Sequence, residues 1–228
     1  MQISVVIPVY NGALFLAEAL ASVLAQTHAP NEIFVVDDGS VDESADIARS
    51  ISGVTLLRQN NGGPGAARNL GIRQARGDAI AFLDQDDRWH ADKLARQVAV
   101  LETEPELVFV LAHMNVVPDR RGAPDWVQAA YFGKHPGYVP SALLARRAAF
   151  EHIGLFDETL RVSSDVAWLG RANALGVAYR MLPEILVERT LHENNQSRGR
   201  ADMRRDTLAA LRSVIRLRRT LDSQGHSE

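Results

Sequence analysis

The sequence predicts an α/β chain: an open, mostly parallel sheet flanked by helices and folded as a single domain. Three observations carry this expectation. Short apolar, β-branched runs alternate with amphipathic segments through the first half of the chain, the pattern of parallel strands covered on both faces. The 228 residues fit one domain of ordinary size. Three of the strand-like runs end in polar clusters, Tyr10-Asn11, Asp37-Asp38 and Asp84 to Asp87, and in open α/β sheets ligands bind beyond the carboxyl ends of the strands.

Taken in order, Ile3 to Val9 reads as a strand that runs into the turn Tyr10-Asn-Gly12. Residues 13 to 26 place apolar side chains at 16, 20, 23 and 24, the spacing of one helical face. Ile33 to Val36 is the next strand, closed by Asp37-Asp-Gly-Ser40, and residues 42 to 50 read as a helix with an acidic first turn that suits its dipole. Val54 to Leu57 is a third strand. The breakers Asn61-Gly-Gly-Pro64 precede a helix over 65 to 76, and Ala79 to Leu83 is a fourth strand leading straight into Asp84-Gln-Asp-Asp87. A helix over 91 to 102 and a strand near 107 to 111 complete the regular part. Residues 113 to 138, with Pro118, Gly122, Pro124, Pro136 and Gly137, are expected to be mostly loop. Beyond them come a helix over 163 to 175, short strands around 178 to 182 and 185 to 189, and a terminal helix over 203 to 221 with Leu208, Leu211 and Ile215 on one face.

Composition removes several classes of function. There is no cysteine, hence no disulfide framework, thiolate metal site or thiol nucleophile. The seven histidines show no metalloprotease spacing. A net charge of −3 argues against nucleic acid as a partner. The N-terminus reads as too short for a signal peptide, and no apolar run approaches the roughly 20 residues that span a bilayer. The expectation is a soluble, cytoplasmic protein.

Four segments carry chemistry. In Phe82-Leu-Asp-Gln-Asp-Asp87 the carboxylates at i and i+2, just past a strand, can converge on one hard cation such as magnesium or manganese; a solvated acidic turn is the plainer alternative. A calcium loop is excluded, because counting from Asp84 puts Trp89 where the sharp-turn glycine belongs. In Asp37-Asp-Gly-Ser40 a carboxylate can accept hydrogen bonds from a base or ribose. We assign Asp38 to a ligand and Ser40 to capping the following helix. Asn61-Gly-Gly-Pro-Gly-Ala-Ala-Arg-Asn69 sets glycines and an arginine at a helix N-terminus, a setting that favours phosphate. It lacks the Gly-Lys-Ser/Thr of a Walker loop, and Arg68 can equally serve as a structural ion-pair partner.

Together, Ser4-Val-Val-Ile-Pro-Val-Tyr-Asn11, Val35-Val-Asp-Asp-Gly-Ser40, Ala66-Ala-Arg-Asn-Leu-Gly71 and Gly77-Asp-Ala-Ile-Ala-Phe-Leu-Asp-Gln-Asp-Asp87 resemble the family 2 glycosyltransferases of GT-A fold, continuously over residues 3 to 100. The resemblance implies an inverting transferase that uses a nucleotide-diphospho-sugar, with a uridine donor expected, and a divalent metal, Mn2+ or Mg2+. Carried over by position, Pro8, Tyr10 and Asp38 look like the nucleoside pocket and Arg68 like a contact near the base or phosphate. Asp84 and Asp86 look like the donor-and-metal pair, with Asp86 as the metal ligand.

The second half resembles the family less fully. Gly154-Leu-Phe-Asp-Glu158 followed by Ser164-Asp165 is similar to the segment that bears the catalytic base, where the usual pair is Glu-Asp; here serine replaces the glutamate. Asp165 is the expected base. The competing reading has Ser163 or Ser164 capping the helix and Asp165 answering only to its dipole. Arg189-Thr-Leu-His-Glu-Asn-Asn-Gln-Ser197 is similar to a late segment whose histidine, here His192, reaches the metal or diphosphate in some members, although a lone histidine is more often a surface or packing residue.

The implied division is a nucleotide-sugar half over 1–112 and an acceptor and base half over 113–228, within one domain. A glycan or lipid-linked acceptor is expected. Arginines 204, 205, 212, 216, 218 and 219 of the last helix either attract anionic lipid at the inner face of a membrane or form a solvated charged face. Two rival functions fit less well. A degenerate, non-catalytic sugar-nucleotide or partner-binding protein has only Ser164 and the short 113–138 region in its favour. A nucleotidyltransferase would carry a Gly-rich basic loop after the first strand, which Tyr10-Asn-Gly-Ala13 is not.

Overall fold

The computed structural model describes residues 1–195 and 200–224, the side chains of 200–202, 222 and 224 excepted. Gln196 and Ser197 of the late histidine segment, and His226, lie outside the described residues.

The first half follows the expected alternation. Strand β1 (Ile3–Val9) is buried along its whole length, as a strand covered on both faces must be. Helix α1 (Leu16–Leu24), β2 (Glu32–Asp37), α2 (Ser44–Ser50), β3 (Val54–Arg58), α3 (Pro64–Gln74) and β4 (Ala79–Phe82) succeed it. The four strands pair in parallel in the order β3-β2-β1-β4. Helix α3 lies close against β1 because Gly71 has no side chain; a Cβ there would collide with Val6.

The second half extends the same sheet as β8-β6-β9-β5, where β5 is Asp87–Trp89, β6 Phe109–Pro118, β8 Leu144–Arg146 and β9 Tyr179–Leu191; β7 (Gly133–Pro136) pairs with β6. Strands β5, β7 and β8 run against their neighbours, while β6 and β9 are parallel to each other. The sheet is therefore mostly parallel with antiparallel additions. Helix α4 (Lys93–Thr103), the short α5 (Ala149–His152), α6 (Ser164–Ala174) and α7 (Arg200–Gln224) complete the fold. One apolar core runs through both halves, from Ile3 and Val5 of β1 to Trp168 of α6 and Leu191 of β9.

Three local expectations need correction. Residues 113–118 are strand, not loop: Met114 and Val116 are buried while His113 and Asn115 are only partly so, the alternation of a half-buried strand. The two short strands around 178–182 and 185–189 are one strand. A register irregularity opposite Ala112 to Met114 falls at Pro183-Glu184, where a residue without an N–H interrupts the ladder. Helix α2 is not capped by Ser40; Asp42 accepts the Ser44 N–H at 3.0 Å, and Ser40 turns back to accept from Asn11 N at 2.9 Å.

Candidate functional site

The ends of β1, β2 and β4, the N-termini of α3 and α6, and the end of β9 enclose a cleft of about 540 Å3. Pro8, Tyr10, Asp38, Arg68, Asp84, Asp86, Asp165 and His192 all line it, so the eight residues expected to bind or react reach one space.

The end of the cleft beyond β1 and β2 is built from cross-linked turns. Asn11 adopts a left-handed φ of 49°, a conformation asparagine tolerates, and its Oδ1 accepts the Val41 N–H at 2.9 Å. Ser44 Oγ accepts from Gly12 N at 2.9 Å. Tyr10 is left exposed at the rim, and Asp38 is 3% exposed. The Asp38 carboxylate accepts from Gln59 Nε2 at 2.7 Å and from the Gly62 and Gly63 N–H groups at 2.8 Å each. It thereby holds the Gly-rich turn in place while forming part of the cleft wall. Asp37 takes the partner role beneath it, accepting from Ser40 N and Arg58 Nε at 2.8 Å each.

The acidic motif is organised by residues on either side of the strand end. Gln85 accepts from Tyr10 N at 2.8 Å and donates to Tyr10 O at 3.3 Å, fixing the β4 turn to the β1 turn. Asp84 accepts from Arg68 Nη2 at 2.5 Å, and its N–H donates to Ser141 Oγ at 3.1 Å. Arg68 is 5% exposed, so its charge is largely spent on that carboxylate. Asp87 points inward, receiving the Ser141 hydroxyl at 2.6 Å; burial, with the charges of Asp86 and Asp84 added, pushes its carboxyl well above the ordinary range. Asp86 turns outward and accepts from His192 Nε2 at 3.0 Å and Asn195 Nδ2 at 2.8 Å. The His192 ring stacks on Phe15 with centroids 4.5 Å apart, and its Nδ1 accepts from Asn194 N at 3.2 Å.

Asp165 occupies the first turn of α6. It keeps a face open to the cleft, yet protein surrounds the rest. Burial raises its pKa, against the lowering pull of Arg68, the Val166 N–H and Arg189. Ser163 does not cap the helix; its hydroxyl pairs with Thr207 Oγ1 at 3.0 Å. Ser164 does not cap it either, and packs beside Gly65, where its buried hydroxyl has no hydrogen-bond partner among the described residues.

Several residues build the site in ways that the sequence alone does not show. Asn69 spans the two halves, donating to Phe156 O at 2.9 Å and Glu158 Oε1 at 2.8 Å and accepting from Phe156 N at 3.0 Å. Asp206 of α7, 3% exposed, accepts the N–H groups of Arg161 and Val162 at 2.8 and 3.1 Å and so anchors the loop that leads to Asp165. The one clue to Asp206 in the sequence is its position as an acidic residue amid the arginines of that helix.

Comparison with known proteins agrees with this geometry. The family model described as glycosyl transferase family 2 matches residues 4–154. The chain is 36% identical over 177 residues to a glycosyltransferase of Rickettsia prowazekii, covering 72% of this chain and 56% of that protein. It is 43% identical over 122 residues to one of Nostoc sp., covering 51% of this chain and 38% of that protein. The chain thus spans about half the length or less of these two relatives. Among solved structures, S. aureus TarS in complex with UDP-GlcNAc is similar at a TM-score of 0.70 and 25% identity, over 86% of this chain and 60% of that one. TarS has also been solved with UDP. A match over most of the sequence, on a fold whose strand ends meet in one carboxylate-lined cleft, means that the chain belongs to glycosyl transferase family 2.

Proposed function

We propose that this chain is the catalytic unit of an inverting glycosyltransferase, moving a sugar from a uridine diphosphate donor to a hydroxyl of a glycan or lipid-linked acceptor. The observation that carries the reading is the convergence of Asp38, Asp86 and Asp165 on one cleft, each from a different strand end or helix start. The nucleoside lies along Pro8, Tyr10 and Asp38, and the diphosphate extends toward Asp84 and Asp86. The acceptor hydroxyl meets Asp165. Its oxygen attacks the anomeric carbon, the bond from that carbon to the diphosphate oxygen breaks, and the hydroxyl proton passes to the Asp165 carboxylate. A single displacement inverts the centre and needs no enzyme nucleophile. The raised pKa of Asp165 makes its carboxylate a stronger base than an exposed aspartate.

A divalent metal fits this site in part. Among the described residues no three His, Asp or Glu side chains converge to hold an ion alone. Magnesium and manganese commonly use one or two carboxylates with substrate phosphates and water, and Asp86 presents such a carboxylate. His192 as it stands donates from Nε2, since its Nδ1 is an acceptor. To become a ligand through Nε2 it must move that proton to Nδ1 and release the Asn194 N–H. A bound Mn2+ or Mg2+ supplies charge stabilisation of the departing diphosphate.

Thermal stabilisation of the protein by UDP, GDP and dTDP, each with and without manganese, tests the reading without a known acceptor. The expected result is a metal-dependent rise with UDP that is lost in Asp86→Ala. No rise with any nucleotide would overturn it.

Helix α7 supports a contact at a membrane surface. Leu208, Leu211 and Ile215 lie exposed along one stripe, and Arg204, Arg212, Arg216, Arg218 and Arg219 are exposed around it. An apolar stripe flanked by arginines suits the interface of an anionic bilayer. No helix among the described residues is long and apolar enough to cross a membrane. Co-sedimentation with phosphatidylglycerol vesicles but not phosphatidylcholine vesicles is expected, and equal behaviour with both would overturn this contact.

A further inference from the structure

Three arginines line the cleft, and two of them are engaged. Arg68 is paired with Asp84, and Arg161 Nη1 donates to Asn61 Oδ1 at 2.9 Å. The third, Arg189, projects from β9 into the cleft with neither a hydrogen bond nor an ion pair to its side chain among the described residues. None of its nitrogens is sealed away from the cleft. The carboxylates of Asp84, Asp86 and Asp87 and the Tyr131 hydroxyl are its electrostatic neighbours, and it acts on Asp165 as well. It therefore shares the cleft with the outward-facing carboxylate of the acidic motif and with the residue proposed as the base.

A purely structural arginine in such company would close onto one of those carboxylates, as Arg68 does onto Asp84. Arg189 is also unhelpful to the base, because a nearby cation lowers a carboxylate's proton affinity. Its benefit has to be found at the other end of the reaction. As the bond to the anomeric carbon breaks, negative charge disappears from Asp165, which takes the proton, and accumulates on the departing diphosphate. A guanidinium in the wall of the same cleft, with its planar donor fork free, can receive that charge and match two phosphate oxygens.

We infer that Arg189 binds the terminal phosphate of the nucleoside diphosphate and stabilises it as it leaves. The inference rests on the proposed donor reading and makes Arg189 a residue that touches substrate, a role that neither its position in a strand nor its sequence context announces.

The experiment compares binding of uridine, UMP and UDP to wild type, Arg189→Gln and Arg189→Lys by calorimetry, in EDTA and in manganese. If the wild type does not bind UDP more tightly than UMP, the donor reading itself fails. If it does, Arg189→Gln is expected to weaken UDP by about 10- to 100-fold, the scale of one charged hydrogen-bonded contact, with uridine unchanged and UMP changed little. The loss should be present in EDTA, because it does not depend on the metal. Arg189→Lys should recover part of the affinity through charge alone. An unaltered preference for UDP over UMP in Arg189→Gln would overturn the inference, including the case in which transfer slows because the arginine serves an anionic acceptor. Melting temperatures of the ligand-free variants separate lost contact from lost fold: a drop shared by both variants and all three ligands would mark Arg189 as structural.

Discussion

The two halves of the cleft treat their polar side chains differently. In the first half the carboxylates at the end of β2 are tied to the protein itself. Asp37 takes two donors and Asp38 three, and Gln85 uses both ends of its amide on Tyr10. In the second half the groups facing the same space keep open valences. Asp165 accepts one N–H, from its own neighbour, and among the described residues the Arg189 guanidinium makes no hydrogen bond or ion pair, while behind them the buried Ser164 hydroxyl has no partner among the described residues. A saturated group is held still and shapes a surface, whereas an open one is available to bind or to move a proton. On the proposed reading, the wall that would receive the donor is preorganised by the protein's own hydrogen bonds, and the wall that would do the chemistry is finished only by substrate.

The contrast is sharpest at Asp165. Asp165→Asn is expected to cut transfer by roughly 10²- to 10⁴-fold, measured as nucleoside diphosphate released from a sugar nucleotide, with UDP binding intact. Its melting temperature near neutral pH should be no lower than that of the wild type. The folded protein holds the Asp165 proton more tightly than the unfolded chain does, so ionising this residue costs stability as pH rises, and asparagine removes the cost. The activity of the wild type should fall, as pH drops, at a pH above the ordinary aspartate value of 3.8, because burial raises the group that must be ionised. A normal rate in Asp165→Asn would break the comparison.

Asn69 tests the saturated side. Its amide is 1% exposed and joins α3 to the 156–158 segment by three hydrogen bonds. Asn69→Ala is expected to cost about 2–4 kcal/mol, from buried backbone groups left without partners, and to lower Tm by roughly 5–15 °C in a thermal scan. A small change in Tm would mean that the two halves are held together elsewhere.

A smaller effect is expected behind the site. Lys93 is 0% exposed and lies with Nζ 4.1 Å from the centre of the Trp89 ring and 3.5 Å from Leu143 O. Burial drives its ammonium well below the usual lysine value of 10.5, so the folded state binds fewer protons than the unfolded one and stability rises with pH up to that value. Lys93→Met should raise Tm by roughly 2–5 °C at about pH 7, and the gain should shrink as pH approaches about 10. A gain that persists at high pH would assign the effect to packing alone. The smallest change is expected at Ser164. Ser164→Ala should shift stability by less than about 1 kcal/mol, toward greater stability, because it removes an unpartnered buried hydroxyl. Lost donor binding in that variant would show that the serine does more than fill space.

What the sequence disclosed divides along the same line. Strand ends were legible because a buried parallel strand must be apolar throughout, so Asp37-Asp38 and Asp84 to Asp87 stand out where the apolar run stops. The fold class and the eight cleft residues follow from that pattern and from the family resemblance it carries. Strand β6 was misread past Ala112 because its polar alternate positions, His113 and Asn115, look like the start of a loop until a paired strand supplies their second side. The bridging roles of Asn69, which lies inside a quoted motif, and of Ser141 and Asp206 are not legible for a different reason. Each acts on backbone or side chains between 44 and 89 residues away, and nothing in the neighbouring sequence records a partner at that distance. Arg189 lies within a recognised segment, but what marks it is that its guanidinium has no hydrogen bond or ion pair among the described residues, and absence has no sequence pattern.

The attachment of Asp206 to the segment before α6 has a mechanical consequence. Two N–H donors, from Arg161 and Val162, and the Ser163–Thr207 hydroxyl pair fasten α7 to the loop from which Asp165 starts. Gly170 lets Val214 approach to what would be 2.6 Å from a Cβ, so α6 and α7 cannot slide past each other freely. A force or rotation applied along α7, whether from a surface it rests on or from polypeptide joined beyond it, is therefore transmitted as a lever to the carboxylate at the other end of the joint.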